Sequence, residues 1–363
     1  MQSKNHKVMK KTRLITYAEA LREAIEISMA NDSRVFIIGE GVPDPKHIFG
    51  TTQGLKEKFG NDRVMDMPVS ENGLTGICIG AAISGMRPIL THQRMDFSLL
   101  SVEQIINNAA KWYFMFGGQV SVPLVIRMMI GRGWGQGAQH SQSLQALFAH
   151  IPGLKVIMPA TAHDAKGLLT SAIEDNNPVI SLEHRWLFNL QDEVPILKYT
   201  IPIGKGNILH KGTDITIVAT SYSAIESLTV ALALEKKGIE VEVVDLRSLR
   251  PLDEKLIIRS VAKTGRLLVV DTGWTMYGIT GEIISKVVEK IFDKLKVPPK
   301  RLALPDIPIP SAPNLTKGFY PDKYDIAATV LRMLGKSTSK VSQLFPFSTT
   351  PHDVPDMTFK GPF

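Results

Sequence analysis

Cysteine is nearly absent: Cys78 is the one thiol in 363 residues. A single thiol closes no internal disulfide and builds no cysteine zinc cluster, so composition points to a reducing compartment, the cytoplasm. Cys78 lies in the apolar stretch 73–85 with no cation beside it in sequence, the setting of a small core residue rather than a nucleophile. Aromatic residues make up only 7% and are not interleaved with the cations. The excess of 42 basic over 35 acidic residues therefore lacks the stacking platform that nucleic-acid binding needs. No run of about 18 apolar residues is present, and no apolar signal-peptide core follows the first lysines, so neither membrane spanning nor secretion is expected.

Several catalytic signatures are missing as well. The glycines of Gly131-Arg132-Gly133-Trp134-Gly135-Gln136-Gly137 fail the dinucleotide fingerprint, whose sixth place falls on Gln136 or Ala138. That loop does not close on the glycine-lysine-serine ending of a phosphate-binding loop, and the chain has no nucleophile elbow of glycine, any, serine, any, glycine. His140, His150 and His163 match no zinc spacing.

What remains is a chain of 44% hydrophobic and 21% charged residues, long enough at roughly 150 residues per domain for two domains. Thr16-Tyr17-Ala18-Glu19 reads as a capping box opening a helix to about Ala30. Val35 to Gly39 then reads as a buried parallel strand. Strands near 63–67, 87–90, 123–127, 155–158 and 179–183 alternate with helices near 52–59, 73–85, 102–116, 143–150 and 162–174. A second alternation of strands 214–219, 240–245 and 266–271 with helices 224–237, 253–262 and 278–292 follows. The expected fold class is α/β, two domains, each a mostly parallel sheet flanked by helices. The expected divisions are a basic arm at 1–13, a first domain at 14–190, a linker at 191–213, a second domain at 214–335 and an extended tail at 336–363. Phe345, Phe347, Phe359 and Phe363 give that tail an alternative role in docking on another subunit.

Ligands on open α/β sheets gather at the carboxyl edge. Glu71 is expected there, opening a helix after the strand 63–67. An acid at a helix N-terminus is stabilised by the macrodipole without any catalytic role. A catalytic carboxyl would instead be desolvated among Met67, Val69, Leu74 and Ile77. The glycine-rich loop would deliver Gln139-His140-Ser141-Gln142 to the same edge.

Particular strings carry more information than spacing. Phe36-Ile37-Ile38-Gly39-Glu40, Gly54-Leu55-Lys56-Glu57-Lys58-Phe59-Gly60, Met67-Pro68-Val69-Ser70-Glu71, Ala138-Gln139-His140-Ser141-Gln142-Ser143 and Pro152-Gly153-Leu154-Lys155-Val156 occur in order. With Asp164 to Leu168, Asp175 to Pro178 and Val244 to Asp253, the set resembles the beta subunit of thiamine-diphosphate-dependent 2-oxo acid dehydrogenases, over about residues 14–335. The resemblance implies a pyrimidine-binding domain followed by a transketolase C-terminal-like domain, in an α2β2 heterotetramer whose alpha subunit holds the diphosphate and magnesium. The Gly-Asp-Gly triplet of that metal motif occurs nowhere in this chain.

By the same resemblance, Glu71 hydrogen-bonds the aminopyrimidine of thiamine diphosphate and favours the imino form that deprotonates the thiazolium. His140 serves the acyl transfer to a lipoyl group on an acyltransferase core, the substrate being a small 2-oxo acid. Glu40 is a further acid near the cofactor, although a strand-end carboxylate capping a turn is equally ordinary. Leu124, Ala172, Asp175 and Asn177 match a structural potassium site built mainly from carbonyls, where a plain turn at 175–178 is the competing account. In Pro88 to Phe97 the chain departs from the family, with Thr91 at the place of an acid and Met95 at the place of an aromatic that packs on the pyrimidine. His92 and Arg94 are unusual neighbours there. Two alternatives follow: a transketolase-like carboligase subunit with an aldehyde acceptor, or a non-catalytic scaffold.

Overall fold

The computed structural model describes residues 11–44, 48–133, 135–346 and 354. They divide into two compact units: residues up to Ile130 with Leu147–Ile203, and Gly131–Ala146 with the residues from Gly204 onward. Each unit is built on its own sheet.

In the first unit the strands are β1 (Thr12–Thr16), β2 (Val35–Gly39), β3 (Val64–Met65), β4 (Arg87–His92), β5 (Val125–Ile130), β6 (Lys155–Ile157), β7 (Val179–His184) and β8 (Gln191–Pro195). All but β1 and β8 form one parallel run in the order β6-β7-β5-β4-β2-β3. Every residue of β2, β5 and β7 is buried, which is why β2 reads as an unbroken apolar run and β5 and β7 as mainly apolar ones, interrupted by Arg127 and by Ser181, Glu183 and His184. The register aligns Gly39 with Thr91, Thr91 with Arg127 and Arg127 with Ser181. The capping box forms as expected: Glu19 N–H donates to Thr16 Oγ1 at 3.2 Å, and Thr16 N–H donates to Glu19 Oε2 at 2.7 Å. Those bonds hold the Glu19 carboxyl below its ordinary pKa.

The second unit carries β9 (Asn207–His210), β10 (Ile215–Ala219), β11 (Val241–Asp245), β12 (Ser248–Arg250), β13 (Leu267–Trp274) and β14 (Lys300–Leu304). Its sheet runs β14-β13-β10-β11-β9, parallel except for the antiparallel edge strand β9. Helices Ser221–Glu235, Glu254–Thr264 and Ile279–Ile291 flank it.

Three segments differ from expectation. The stretch 191–213, expected as a linker, contains β8, antiparallel to β1, and β9. Its glycines and prolines bound short strands whose partners lie far away in sequence. The helix expected over 102–116 is preceded by a 3₁₀ stretch at Met95–Ser101 and is itself π-helical at Gln104–Ala109, with one further turn at Trp112–Met115. Of the expected tail, Val341 and Phe345 are buried, the latter with its ring edge-on to Tyr324 at 5.2 Å. Residues 347–353 and 355–363 of that tail, with residues 1–10 of the basic arm, lie outside the described residues.

Candidate active site

In the first sheet β2 connects outward to β3 while β4 connects the other way to β5, so the crevice between the carboxyl ends of β2 and β4 is a topological switch point. Glu40 leaves β2 there. Gln93, Arg94 and Met95 leave β4 there, and Glu71 opens the helix Glu71–Ile83 that follows β3.

The loops at this crevice are tied together through the backbone. Asp66 Oδ1 accepts from the N–H of Gly41 and of Met67, both at 2.9 Å, and Gln93 Nε2 donates to the Glu40 carbonyl at 2.9 Å. Gly39 and Gly41 permit that approach: a Cβ on Gly39 would stand 2.3 Å from the Thr91 carbonyl, and one on Gly41 2.6 Å from Gln93 Nε2.

Glu71 is buried, at 5% exposure, and Met95 is fully buried. The Glu40 carboxyl is pushed above its ordinary pKa by burial first, then by the neighbouring charges of Glu71 and Asp66. Its Oε1 is buried without a hydrogen-bond partner among the described residues. A buried carboxyl oxygen lacking a donor, beside two more acids, is matched to a ligand that brings N–H groups. An aminopyrimidine is such a ligand, and the polarizable sulfur of Met95 suits the face of a ring.

The departures on β4 are internal. Thr91 is fully buried, and burial pushes His92 down to about 4, leaving an imidazole that is neutral at pH 7. Arg94 donates to the Gln93 carbonyl at 2.7 Å and lies over the Phe49 ring at 5.4 Å. One strand further in, Arg127 makes a bidentate pair with Glu183 at 2.8 and 2.7 Å and donates to Thr51 Oγ1 at 3.0 Å.

His140 belongs to the second unit, in Gly131–Ala146, and is half-buried just beyond a tight turn at Gly137–Gln139. The first unit's acids and this histidine are thus carried by different compact units. Among the described residues no group of His, Cys, Asp and Glu is arranged to hold a metal.

Of the residues matched to a potassium site, Ala172, Asp175 and Asn177 are linked in one turn, and Leu124 meets the strand that follows it at Val179. The Leu124 carbonyl accepts from Val179 N–H at 2.9 Å, that of Ala172 from Asp175 N–H at 3.3 Å, and Asp175 Oδ1 from Asn177 N–H at 2.9 Å. Arg87 donates to the carbonyls of Ile173 and Asp175, both at 3.0 Å, and Lys155 pairs with the Asp175 carboxylate. The Leu124 and Ala172 carbonyls keep a second lone pair, and all donors are oxygen, as a hard monovalent cation requires. Sequence reasoning missed Asp66 and Gln93, although both fall within two residues of a strand's carboxyl end.

Comparison with known proteins bears on the fold and the family. Residues 13–191 match the family described as transketolase, pyrimidine binding domain, and residues 204–326 match transketolase, C-terminal domain. A solved structure titled split gene transketolase, inactive beta4 tetramer, superposes with a TM-score of 0.71, over 88% of this chain and 98% of that one, at 22% identity. The fold is therefore that of the transketolase-type thiamine enzymes. Among curated relatives, the mitochondrial pyruvate dehydrogenase E1 component subunit beta of Drosophila melanogaster is 41% identical, covering 90% of this chain and 91% of its own length. The beta subunit of the Bacillus subtilis acetoin:2,6-dichlorophenolindophenol oxidoreductase is 40% identical, covering 89% and 98%. The pyruvate dehydrogenase E1 component subunit beta of Rickettsia felis is 41% identical, covering 88% and 98%. This chain belongs to the family of 2-oxo acid dehydrogenase E1 beta subunits.

Proposed function

We propose that this chain is the coenzyme-activating subunit of an α2β2 E1 component that decarboxylates a 2-oxo acid with thiamine diphosphate and passes the acyl group to a lipoyl acceptor. The observation that carries the reading is the buried Glu71 beside Glu40, whose Oε1 lacks a donor, at the first sheet's switch point. Bound there, the coenzyme supplies a carbanion-forming carbon and an electron sink for loss of carbon dioxide. Glu71 would hold the coenzyme's ring nitrogen and serve as the acid–base group there, Glu40 would offer its unpaired oxygen as an acceptor, and Met95 would supply an apolar packing surface. His140 handles protons at the transfer step. The alpha subunit holds the diphosphate and magnesium, and the carbonyls of Leu124 and Ala172, with Asp175 and Asn177, hold a structural potassium ion.

A partner subunit is further supported by apolar side chains left in water on the first unit: Val69 at 81% exposure, Ile77 at 62% and Phe114 at 87%. No helix among the described residues is long and apolar enough to cross a membrane, and Cys78 is buried with its thiol pushed up to about 12. The full-length relatives favour a dehydrogenase subunit over a carboligase or a scaffold.

The test is Glu71→Ala in the chain co-purified with its alpha subunit. Turnover is expected to fall on the order of 10²–10⁴-fold with any acceptor, the usual contribution of a positioned acid–base group. Near-normal turnover overturns the assignment. A panel of 2-oxo acids, with acetoin included, identifies the substrate by its product.

A further inference from the structure

The second unit contains a buried acid that this reaction does not use. Asp271 lies in β13 at the carboxyl edge and is 3% exposed. Its neighbour β10 connects outward to β11 while β13 connects the other way to β14, so this too is a switch point, the position where open sheets take ligands. Here the chain fills it with its own side chain. Gln145 Nε2 donates to both Asp271 oxygens at 2.9 Å, Thr220 Oγ1 donates to Oδ1 at 2.9 Å, and Gly273 N–H donates to Oδ2 at 3.3 Å.

Gln145 is fully buried and closes the segment Gly131–Ala146 that carries His140. Its Oε1 is buried with no partner among the described residues, so the contact with Asp271 is what fixes this amide. The segment's other end is held on the same unit. The Arg132 guanidinium lies 3.6 Å from the Tyr320 ring centroid, and a Cβ on Gly137 would stand 2.0 Å from Ser311 Oγ. An amide suits this task because it donates to a carboxylate and does not itself titrate.

We propose that Gln145 and Asp271 are a positioning pair through which the C-terminal domain sets the His140 loop for acyl transfer, leaving coenzyme activation untouched. The inference rests on the transfer role of His140 given above. It assigns the second domain a part in the chemistry.

The experiment uses the complete α2β2 complex and two assays of the same decarboxylation, one with a dye as electron acceptor and one with the lipoyl domain. Gln145→Ala and Gln145→Glu are each expected to keep dye-coupled turnover within about twofold and to lose lipoyl-coupled kcat on the order of 10–100-fold, with the KM for the 2-oxo acid unchanged. The exchanged pair, Gln145→Glu with Asp271→Asn, restores a donor–acceptor contact and should recover the lipoyl-coupled rate. Equal losses in both assays, no loss in the lipoyl assay, or a failure of the exchanged pair to recover overturns the proposal. His140→Ala separates the two readings. If it leaves lipoyl-coupled turnover intact, the transfer role fails; if it is impaired while the Gln145 variants are not, only the positioning pair fails.

Discussion

At the carboxyl edge of the first sheet Glu40 keeps a buried oxygen without a donor among the described residues, whereas at the same edge of the second sheet Asp271 receives three donor groups from its own chain. Burial raises the pKa of both acids. They differ in the company each keeps. Glu40 faces the like charges of Glu71 and Asp66, an arrangement that costs folding free energy and is relieved by a ligand with N–H donors. Asp271 faces an amide, a hydroxyl and a backbone N–H, an arrangement already complete. One edge is built to receive and the other to hold, although the two share a topology.

Deeper in the first sheet a third acid, Glu183, marks the holding extreme. It is fully buried and paired with Arg127. Arg127→Met leaves that carboxylate without its cation, and the expected loss is about 3–5 kcal/mol of folding stability. Chemical unfolding at pH 7 checks this. The double variant Arg127→Met with Glu183→Leu should recover most of the loss, because removing both charges also removes their desolvation cost. If the single variant unfolds at the parent's denaturant concentration, the pair carries no structural weight and the contrast with Glu40 loses its reference.

Asp175 is an intermediate case, its carboxylate matched by Lys155 and its carbonyl by Arg87. The potassium ion proposed above would gain chiefly from carbonyl dipoles and would stabilise by occupancy. At a hundred times its Kd the expected gain is about 2.7 kcal/mol. Thermal unfolding in potassium against lithium or choline at equal ionic strength reads it. Identical midpoints in all three salts remove the ion from this site.

Much of this was legible in the sequence, for identifiable reasons. β2 is apolar throughout, and β5 and β7 are apolar apart from Arg127, Ser181, Glu183 and His184, so all three read as buried parallel strands without any tertiary information. The capping box at Thr16 and Glu19 is local chemistry and was readable within four residues. Glu71 at a helix start was visible for the same reason. Segment 191–213 was not, because β8 and β9 gain their stability from β1 and β11, and strand propensity alone carries no such contact. Nor was the placement of His140: the loop's glycines announced a turn, but Gln145 meets Asp271 126 residues further along the chain. Polar groups that specify a site through distant partners leave no periodic mark.

The smallest effect tests the receiving edge directly. Burial and like charges hold Glu40 above its unfolded pKa, so between the two values the folded state binds more protons than the unfolded chain. Its contribution to stability then falls as pH rises through that window and stays at its low value above it. Glu40→Gln abolishes that fall and removes the repulsion from Glu71 and Asp66, so at pH 7 the apo chain should unfold at the same or slightly higher denaturant concentration than the parent, by less than about 1 kcal/mol. Coenzyme binding by the assembled complex should weaken at the same time, since an accepting oxygen is lost where the ring's amino group would donate. A variant that loses stability and keeps coenzyme affinity reverses the comparison, making Glu40 a holding acid like Asp271. One that gains or keeps stability and loses affinity fixes the first sheet's edge as the receiving one.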